Sequence, residues 1–283
     1  MKQKILRFFT YLILLIPVLM IIAPVWVMIT GTFMSEGEVF RKIGAILGGS
    51  SENVRWTLLP DFPTLKPYVQ LLLDSPKFFI MFWNSVRQVI PILIGQLLIS
   101  VPAAWGFAKC EFKGRKALFL LYIILMIMPF QVTMVSNYLV LDRFKLLDTN
   151  FSIIIPGIFS TFPIFIMTKF FKSIPDELLE SAKLDGASRF TILFRIGIPL
   201  GSSGIVSMVI LSFLEYWNAL EQPLTFLRDK SNWPLSLYLP EISSSNFGVA
   251  FIASVVMMAP SVCIFLRGQT YLEQGIVASG IKQ

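Results

Sequence analysis

The sequence predicts an all-α integral membrane protein with six transmembrane helices. Three observations predict it. The 283 residues are 55% hydrophobic and only 14% charged, whereas soluble domains run at roughly 25% charged. Six long runs carry no charge. The Lys and Arg residues gather in short segments between those runs. A soluble chain of this composition would lack the polar surface to cover itself, and lipid removes that difficulty by solvating an apolar exterior.

The charge-free runs are Phe8–Ser35, Gln88–Ala108, Ala117–Leu141, Thr149–Thr168, Gly197–Leu214 and Ile242–Leu266. Each meets or nearly meets the requirement of about 20 apolar residues for a span. The fifth is the shortest, and Glu215 marks its outer end. The first follows Lys2, Lys4 and Arg7, as in a secretory signal. It outlasts the apolar region of such a signal, roughly 7–15 residues, and no small-residue cleavage pattern closes it. An uncleaved first helix is expected. Several runs contain proline, at Pro17, Pro24, Pro91, Pro102, Pro129, Pro156, Pro163 and Pro260. Each frees a carbonyl and bends the axis, either as curvature for packing or as a break beside a central cavity.

Orientation follows from the basic residues of the short loops. Lys109, Lys113, Arg115 and Lys116 face only Glu111 in the first such loop, and Lys169, Lys172, Lys183, Arg189 and Arg195 populate the second. Both termini are therefore expected in the cytoplasm. The opposite segments, Glu36–Lys77, Asp142–Asp148 and Glu215–Glu241, mix both signs. The stretch from Glu36 to about Trp83 is too long for a hairpin. With Gly48-Gly49, Pro60, Pro63 and Pro67, it is expected to form a small ordered cap.

Several function classes are disfavoured. The net charge of +7 is not gathered into a stripe that would suit nucleic acid. Histidine is absent, which removes His-based triads, His–zinc sites and imidazole relays. Cys110 and Cys263 have neither metal spacing nor a disulfide framework, and read as small apolar fillers. No metal site is expected. The chain has no G-x-x-x-x-G-K-[ST] phosphate loop, and its six runs offer no carboxylate or amine for an intramembrane proton relay.

The segment Ser173–Ser188 is the least membrane-like part of the second half. Ser173 and Asp176 match an S-x-x-D capping pair, with Pro175 in the first turn. A helix is expected from there to about Leu184, with Leu178, Leu179 and Ala182 as its apolar face. Gly186 is a natural left-handed stop. Ser188 can cap a second helix with Phe190, Ile192, Leu193, Phe194 and Ile196 on its buried side, ended by Pro199. A helix as short as the first is marginal alone, so either the bundle or a partner groove must hold it.

These residues resemble a family. Glu180-Ser-Ala182, Asp185-Gly-Ala187, Phe194, Ile196 and Pro199-Leu200 resemble the EAA loop of bacterial ABC importer permeases. Ser181 stands where that family usually has Ala, and Ser203 lies near where it usually has another Pro. Asn84-Ser85, Phe107–Lys116, Trp217-Asn218, Pro223-Leu224 and Gly275–Lys282 are similar to the MalG-like permeases of maltose and oligosaccharide importers.

The resemblance implies a type I ABC importer transmembrane domain over residues 1–283. Its six helices are expected at 1–35 (with the N-terminus), 84–108, 117–141, 149–171, 199–217 and 247–267. Residues 36–83 and 218–246 would be extracytoplasmic, 172–198 a cytoplasmic coupling loop, and 268–283 a cytoplasmic tail in the bacterial cytoplasmic membrane. It also implies a second, MalF-like permease, two ATP-binding subunits and an extracytoplasmic sugar-binding protein. The chain itself would be non-catalytic and hold no cofactor, with ATP and Mg used by the partner ATPase. Coupling would fall to Pro175, Glu177, Glu180, Ser181, Ala182, Asp185, Gly186 and Ala187. By the same resemblance, 228–245 would reach toward the binding protein and 275–283 toward the ATPase pair.

Sugars are held by aromatic faces and hydrogen-bonding side chains. The candidates near the outer ends of the runs are Gln131, Ser136, Asn137, Tyr138, Tyr216, Trp217 and Asn218, where interfacial anchoring explains Tyr and Trp equally well. The EAA-type loop is shared with peptide and polyamine importers, so those solutes stay open. An intramembrane enzyme, a secondary carrier and a channel are the competing classes.

Overall fold

The computed structural model describes residues 2–43, 59–238 and 247–280. All regular structure among them is helical. The Gly48-Gly49 pair and residues 239–246 and 281–283 lie outside the described residues. The chain divides into two compact units. One comprises Met1–Phe79 with Tyr238–Ala259, the other Ile80–Leu237 with Pro260–Gln283.

The first unit holds α1 (Lys2–Gly31), α2 (Glu36–Ile43) and α3 (Lys66–Leu72). It also holds the start of α4 (Pro76–Lys109) and the first part of α14 (Phe247–Gly280). The span Thr10–Gly31 of α1 exposes large apolar side chains on every face, including Tyr11, Ile13, Met20 and Ile21. A helix apolar all round needs an apolar solvent. Pro17 and Pro24 lie within α1 without ending it.

The cap region is tied by polar contacts. The Glu38 carboxylate accepts from Lys42 Nζ at 2.6 Å and from the Asp61 N–H at 2.6 Å. Lys42 also donates to the Leu59 carbonyl at 3.2 Å and pairs with Asp61 at 3.2 Å. Burial acts to lower the Lys42 pKa. Its bonds to Glu38 and Asp61 outweigh that, so the net shift is upward. The Thr32 and Tyr68 hydroxyls lie 2.9 Å apart.

The second unit is a bundle around α4, α8 and α12. Its further helices are α5 (Arg115–Ile127), α6 (Phe130–Arg143), α7 (Phe151–Ile158), α8 (Thr161–Ser173) and α9 (Asp176–Leu184). They continue with α10 (Arg189–Ile192), α11 (Ile198–Leu200), α12 (Ser202–Trp217) and α13 (Glu221–Phe226). A shared apolar core joins Ala104 and Trp105 of α4, Met167 and Phe171 of α8, Leu179 of α9, Ile192 of α10 and Met208 of α12.

Among the described residues, four stretches are long and apolar enough to cross a membrane: Thr10–Gly31, Pro76–Lys109, Phe151–Ser173 and Phe247–Glu273. Two expected spans are instead bent pairs, which bring the number to six if each pair counts once. The third run breaks at Met128–Pro129, and α5 and α6 meet at 102°. The cause is local. Met128 precedes proline and is extended, at φ −66 and ψ 121, because the proline ring disfavours the helical region for its neighbour. With 13 residues, α5 alone reaches only about 20 Å of the ~30 Å hydrocarbon core.

The fifth span also differs from expectation. Pro199 does not end the helix before it. A π-turn at Leu193–Gly197 connects α10 to α11, with the Ile198 N–H bonded to the Leu193 carbonyl. The helical path continues to Leu200 and then bends by 71° into α12. Gly201 sits at the bend, where a Cβ would meet the Phe171 ring. Phe190 and Phe194, expected to be buried, are 76% and 63% exposed, while Ile192 and Leu193 are buried. Several helices run beyond their charge-free limits, and α14 continues past Leu266 to Gly280. α4 begins at Pro76 rather than near Asn84, and α12 continues past Glu215 to Trp217.

Candidate functional site

Helix α9 and the turn after it sit at one end of the second unit. Leu179 is 5% exposed and Ala182 half-buried against the core. Glu177, Glu180, Ser181 and Leu184 form the opposite face and are exposed. Their spacing of three and four places them in one row along the helix. Ser181 Oγ donates to the Glu177 carbonyl at 2.9 Å. Pro175 is the extended residue before the first turn.

The C-terminus of α9 is closed by backbone geometry alone. Gly186 has φ +78. The Ala187 N–H donates to the Ala182 carbonyl at 3.0 Å, and the Gly186 N–H to the Lys183 carbonyl at 3.0 Å. This is the paired bonding of a Schellman turn, which requires a left-handed residue in the position of Gly186. Ala187 returns to the core beside Ala182. Asp185 is the exposed residue between helix and turn. The next helix starts at Ser188, whose Oγ accepts from the Thr191 N–H at 3.2 Å.

The N-terminus of α9 is held differently from the expected capping pair. Ser173 Oγ donates to the Phe170 carbonyl, inside its own helix. Lys109, the last residue of α4, reaches across instead. Its ammonium donates to the Ile174 carbonyl at 2.5 Å and to Asp176 Oδ1 at 2.7 Å. Sequence reading assigned Lys109 only to the charge of its loop. Its partners lie more than sixty residues away, and no local pattern links them. Lys109 holds the Asp176 carboxyl below its ordinary pKa of 3.8. A depressed pKa means the tie is present above the ordinary value and lost as pH falls through the lowered one. We predict that Lys109→Met leaves the fold intact and speeds proteolysis at 174–176 at neutral pH. Acidification well below the ordinary value, through the lowered Asp176 pKa, should have the same effect on the unsubstituted protein.

The other end of the unit is organised by buried polar groups on α4. Asn84 Nδ2 donates to the carbonyls of Ser231 (2.6 Å) and Trp233 (3.1 Å). Ser85 Oγ accepts from the Leu235 N–H at 2.8 Å. Gln88 Nε2 donates to Asn150 Oδ1 (2.9 Å) and to the Asn232 carbonyl (3.0 Å). All three side chains are at most 5% exposed. They clasp the loop that follows α13. Asp148 holds the same loop from the other side. Its Oδ1 accepts from the N–H groups of Arg228 (2.9 Å) and Asp229 (2.7 Å), and it sits at φ +62.

Asp148 was missed by sequence reading. The available signal was its tolerance of left-handed φ, which Asp and Asn have above other side chains. We expect Asp148→Ala to cost about 2 kcal/mol, since two bonds to a charged acceptor are lost. Hydrogen exchange at the Arg228 and Asp229 amides should rise, and Asp148→Asn should fall between.

The sugar-contact candidates occupy mixed positions. Gln131 is exposed, and its Nε2 donates to both Glu221 oxygens at 2.7 and 2.8 Å. Ser136 is exposed and Asn137 half-buried. Arg228 donates to the Tyr138 hydroxyl. Trp217 is 5% exposed, stacked on Phe213 and edge-on to Phe82. Tyr216 is 8% exposed, and its hydroxyl donates to the Gly157 carbonyl at 3.3 Å. Asn218 is exposed and donates to the Leu214 carbonyl. Gln131 and Tyr138 thus lie together along the α6–α13 seam, while Tyr216 and Trp217 pack into the bundle. Among the described residues no three His, Cys, Asp or Glu side chains gather where they could hold a metal ion.

Residues 96–278 match the family model described as binding-protein-dependent transport system inner membrane component. The arabinooligosaccharides transport system permease protein AraQ of Halalkalibacterium halodurans is 28% identical over 268 residues, 91% of this chain and 96% of that protein. A probable ABC transporter permease protein of Pyrococcus horikoshii is 30% identical over 237 residues, 81% of this chain and 85% of that one. A chain from the crystal structure of a bacterial ABC transporter involved in the import of the acidic polysaccharide alginate superposes with a TM-score of 0.82. It is 22% identical, and the match covers 95% of this chain and 97% of that one. The two share a fold.

Proposed function

The chain belongs to the family of binding-protein-dependent transport system inner membrane components, and from that premise we propose that it forms half of the pathway of an ATP-driven sugar or oligosaccharide importer. It is an all-α membrane permease of the type I ABC importer fold. The sugar reading rests on AraQ, which is named as an arabinooligosaccharides transport system permease.

The observation that carries the coupling role is the mounting of α9. Lys109 pins its start, the Gly186 turn closes its end, and the row Glu177, Glu180, Ser181 and Leu184 faces outward. Leu184 is 89% exposed, one turn beyond Glu180 and next to Asp185. An exposed apolar residue flanked by acids fits a groove with an apolar floor and a basic rim. We assign that groove to an ATP-binding subunit in the cytoplasm, where ATP and Mg are consumed. The Asp148 end then faces the extracytoplasmic binding protein, and both termini are cytoplasmic. A second, MalF-like permease completes the pathway. ATP-driven closure of the ATPase pair would move α9, and through Lys109 and the Leu179 contact it would move α4 and α8.

Co-purification from native membranes should recover a second permease and an ATPase. The reconstituted complex with its binding protein should show ATPase activity stimulated by oligosaccharides and not by peptides or polyamines. Recovery of this chain as a stable homo-oligomer that transports without an ATPase would overturn the proposal.

A further inference from the structure

In the middle of the second unit lies a polar seam that the coupling and substrate assignments do not use. Gln96 on α4 is fully buried, and its Nε2 donates to the Gly157 carbonyl at 2.8 Å. Tyr216 on α12 donates to the same carbonyl. The Gly157 carbonyl also takes the Ser160 N–H at 3.3 Å, and it is open to the two side chains because the helical path is interrupted at Phe159–Ser160, between α7 and α8. The one Tyr216 proton goes to Gly157, and Gln96 Oε1 is left with no donor.

Two serines continue the seam. Ser100 lies one turn beyond Gln96 on α4, and Ser212 one turn before Tyr216 on α12. The helices run in opposite senses there. Trp105 of α4 packs against Gly197, before α12 begins, while Gln96 meets the acceptor of Tyr216 near its end. Ala104 and Met208 belong to one apolar core and Gln96 and Tyr216 share one carbonyl, so Ser100 and Ser212, each one turn from both, lie at matching heights between those two levels. Both serines are 0% exposed, and neither hydroxyl has a partner. Other helix hydroxyls in this chain take the carbonyl four residues back, as Thr168 does from Ile164, Ser181 from Glu177 and Ser254 from Ala250. Ser100 and Ser212 do not.

Three orphaned polar atoms in the membrane interior each carry a desolvation cost. A partner subunit or lipid cannot satisfy them, because they are already buried within this chain alone. We propose that Gln96 Oε1, Ser100 Oγ and Ser212 Oγ form an internal hydration site that bridges α4 and α12 beside the break between α7 and α8. Water suits the site because it can donate to the amide oxygen and both donate to and accept from hydroxyls, as buried waters with two to four polar partners do. The oxygens are all neutral, and no carboxylate is among them to favour a cation.

The sign of a stability change tests this. In the purified permease-containing complex, Ser100→Ala, Ser212→Ala and the double variant are compared by thermal melting. Millisecond hydroxyl-radical footprinting then reads oxidation of Tyr216, since radiolysis of bound water labels side chains that bulk solvent does not reach. A hydrated seam predicts a lower melting temperature for each serine variant and a several-fold drop in Tyr216 oxidation in the double variant. A dry seam predicts the reverse, with a raised melting temperature as an orphan hydroxyl is removed and no Tyr216 oxidation in the parent. Stabilisation by sodium chloride but not by choline chloride, lost in the double variant, would overturn water in favour of a cation. None of these readouts depends on the transported solute or on coupling.

Discussion

Gly186→Asp leaves the protein inserted in the membrane and abolishes substrate-stimulated ATP hydrolysis by the assembled transporter. The effect is not a clash, since a Cβ at Gly186 would meet nothing within 4 Å. It comes from the backbone and from charge. At φ +78 an ordinary side chain costs about 1–2 kcal/mol and Asp or Asn less, so the charge carries the larger share. A new carboxylate would also stand beside Asp185, at the negative end of α9. The chain can escape by unwinding the Schellman turn, which releases the Ala182 carbonyl and lets Ala187 leave the core. α9 would then present its outer row at a different angle. Gly186→Asn tolerates the same φ without the charge, so it should retain part of the stimulation. Gly114 has φ +82 and equally open surroundings. If Gly114→Asp removes stimulation as fully as Gly186→Asp, the turn after α9 is not the specific point of coupling.

Much of this geometry was legible in the sequence because its causes are local. The charge-free runs located the apolar helices, since burial of backbone polar groups in lipid leaves little choice of structure. The Gly186 turn and the Ser188 cap were readable because both depend on residues within one helical turn. Pro129 was visible as a disturbance, and its neighbour's restriction turned a bend into a 102° break. What sequence could not supply was pairing at a distance. Lys109 with Asp176, Asp148 with the Arg228 amide and Gln96 with Gly157 are each separated by sixty or more residues. Ser173 also misled. It has the residue type of a cap, but a hydroxyl near a helix end can satisfy itself on the preceding turn. Phe190 and Phe194 were expected inside on hydrophobicity alone. They lie at spacing four on the exposed side of α10 and the π-turn, while Ile192 and Leu193 take the buried side.

The second large effect concerns the contact between α8 and α12. Gly204→Val should sharply lower the melting temperature and the yield of monodisperse protein. A Cβ at Gly204 would fall on the ring and Cβ of Phe170. Lipid tails are as apolar as the helix surfaces, so close packing rather than hydrophobic burial holds spans together, and small residues permit it. Overpacking typically costs about 1–3 kcal/mol, and valine adds two further carbons to the one that already collides. Gly204→Ala should show a smaller loss in the same direction. Gly106→Ala is the control. It lies within α4, meets nothing within 4 Å, and should be neutral or slightly stabilising through helix propensity. Because the collision is with one ring, Phe170→Ala combined with Gly204→Val should recover part of the loss. The two changes should therefore be non-additive, as substitutions in direct contact are. If Gly204→Val melts with the parent, α8 and α12 do not pack at this glycine.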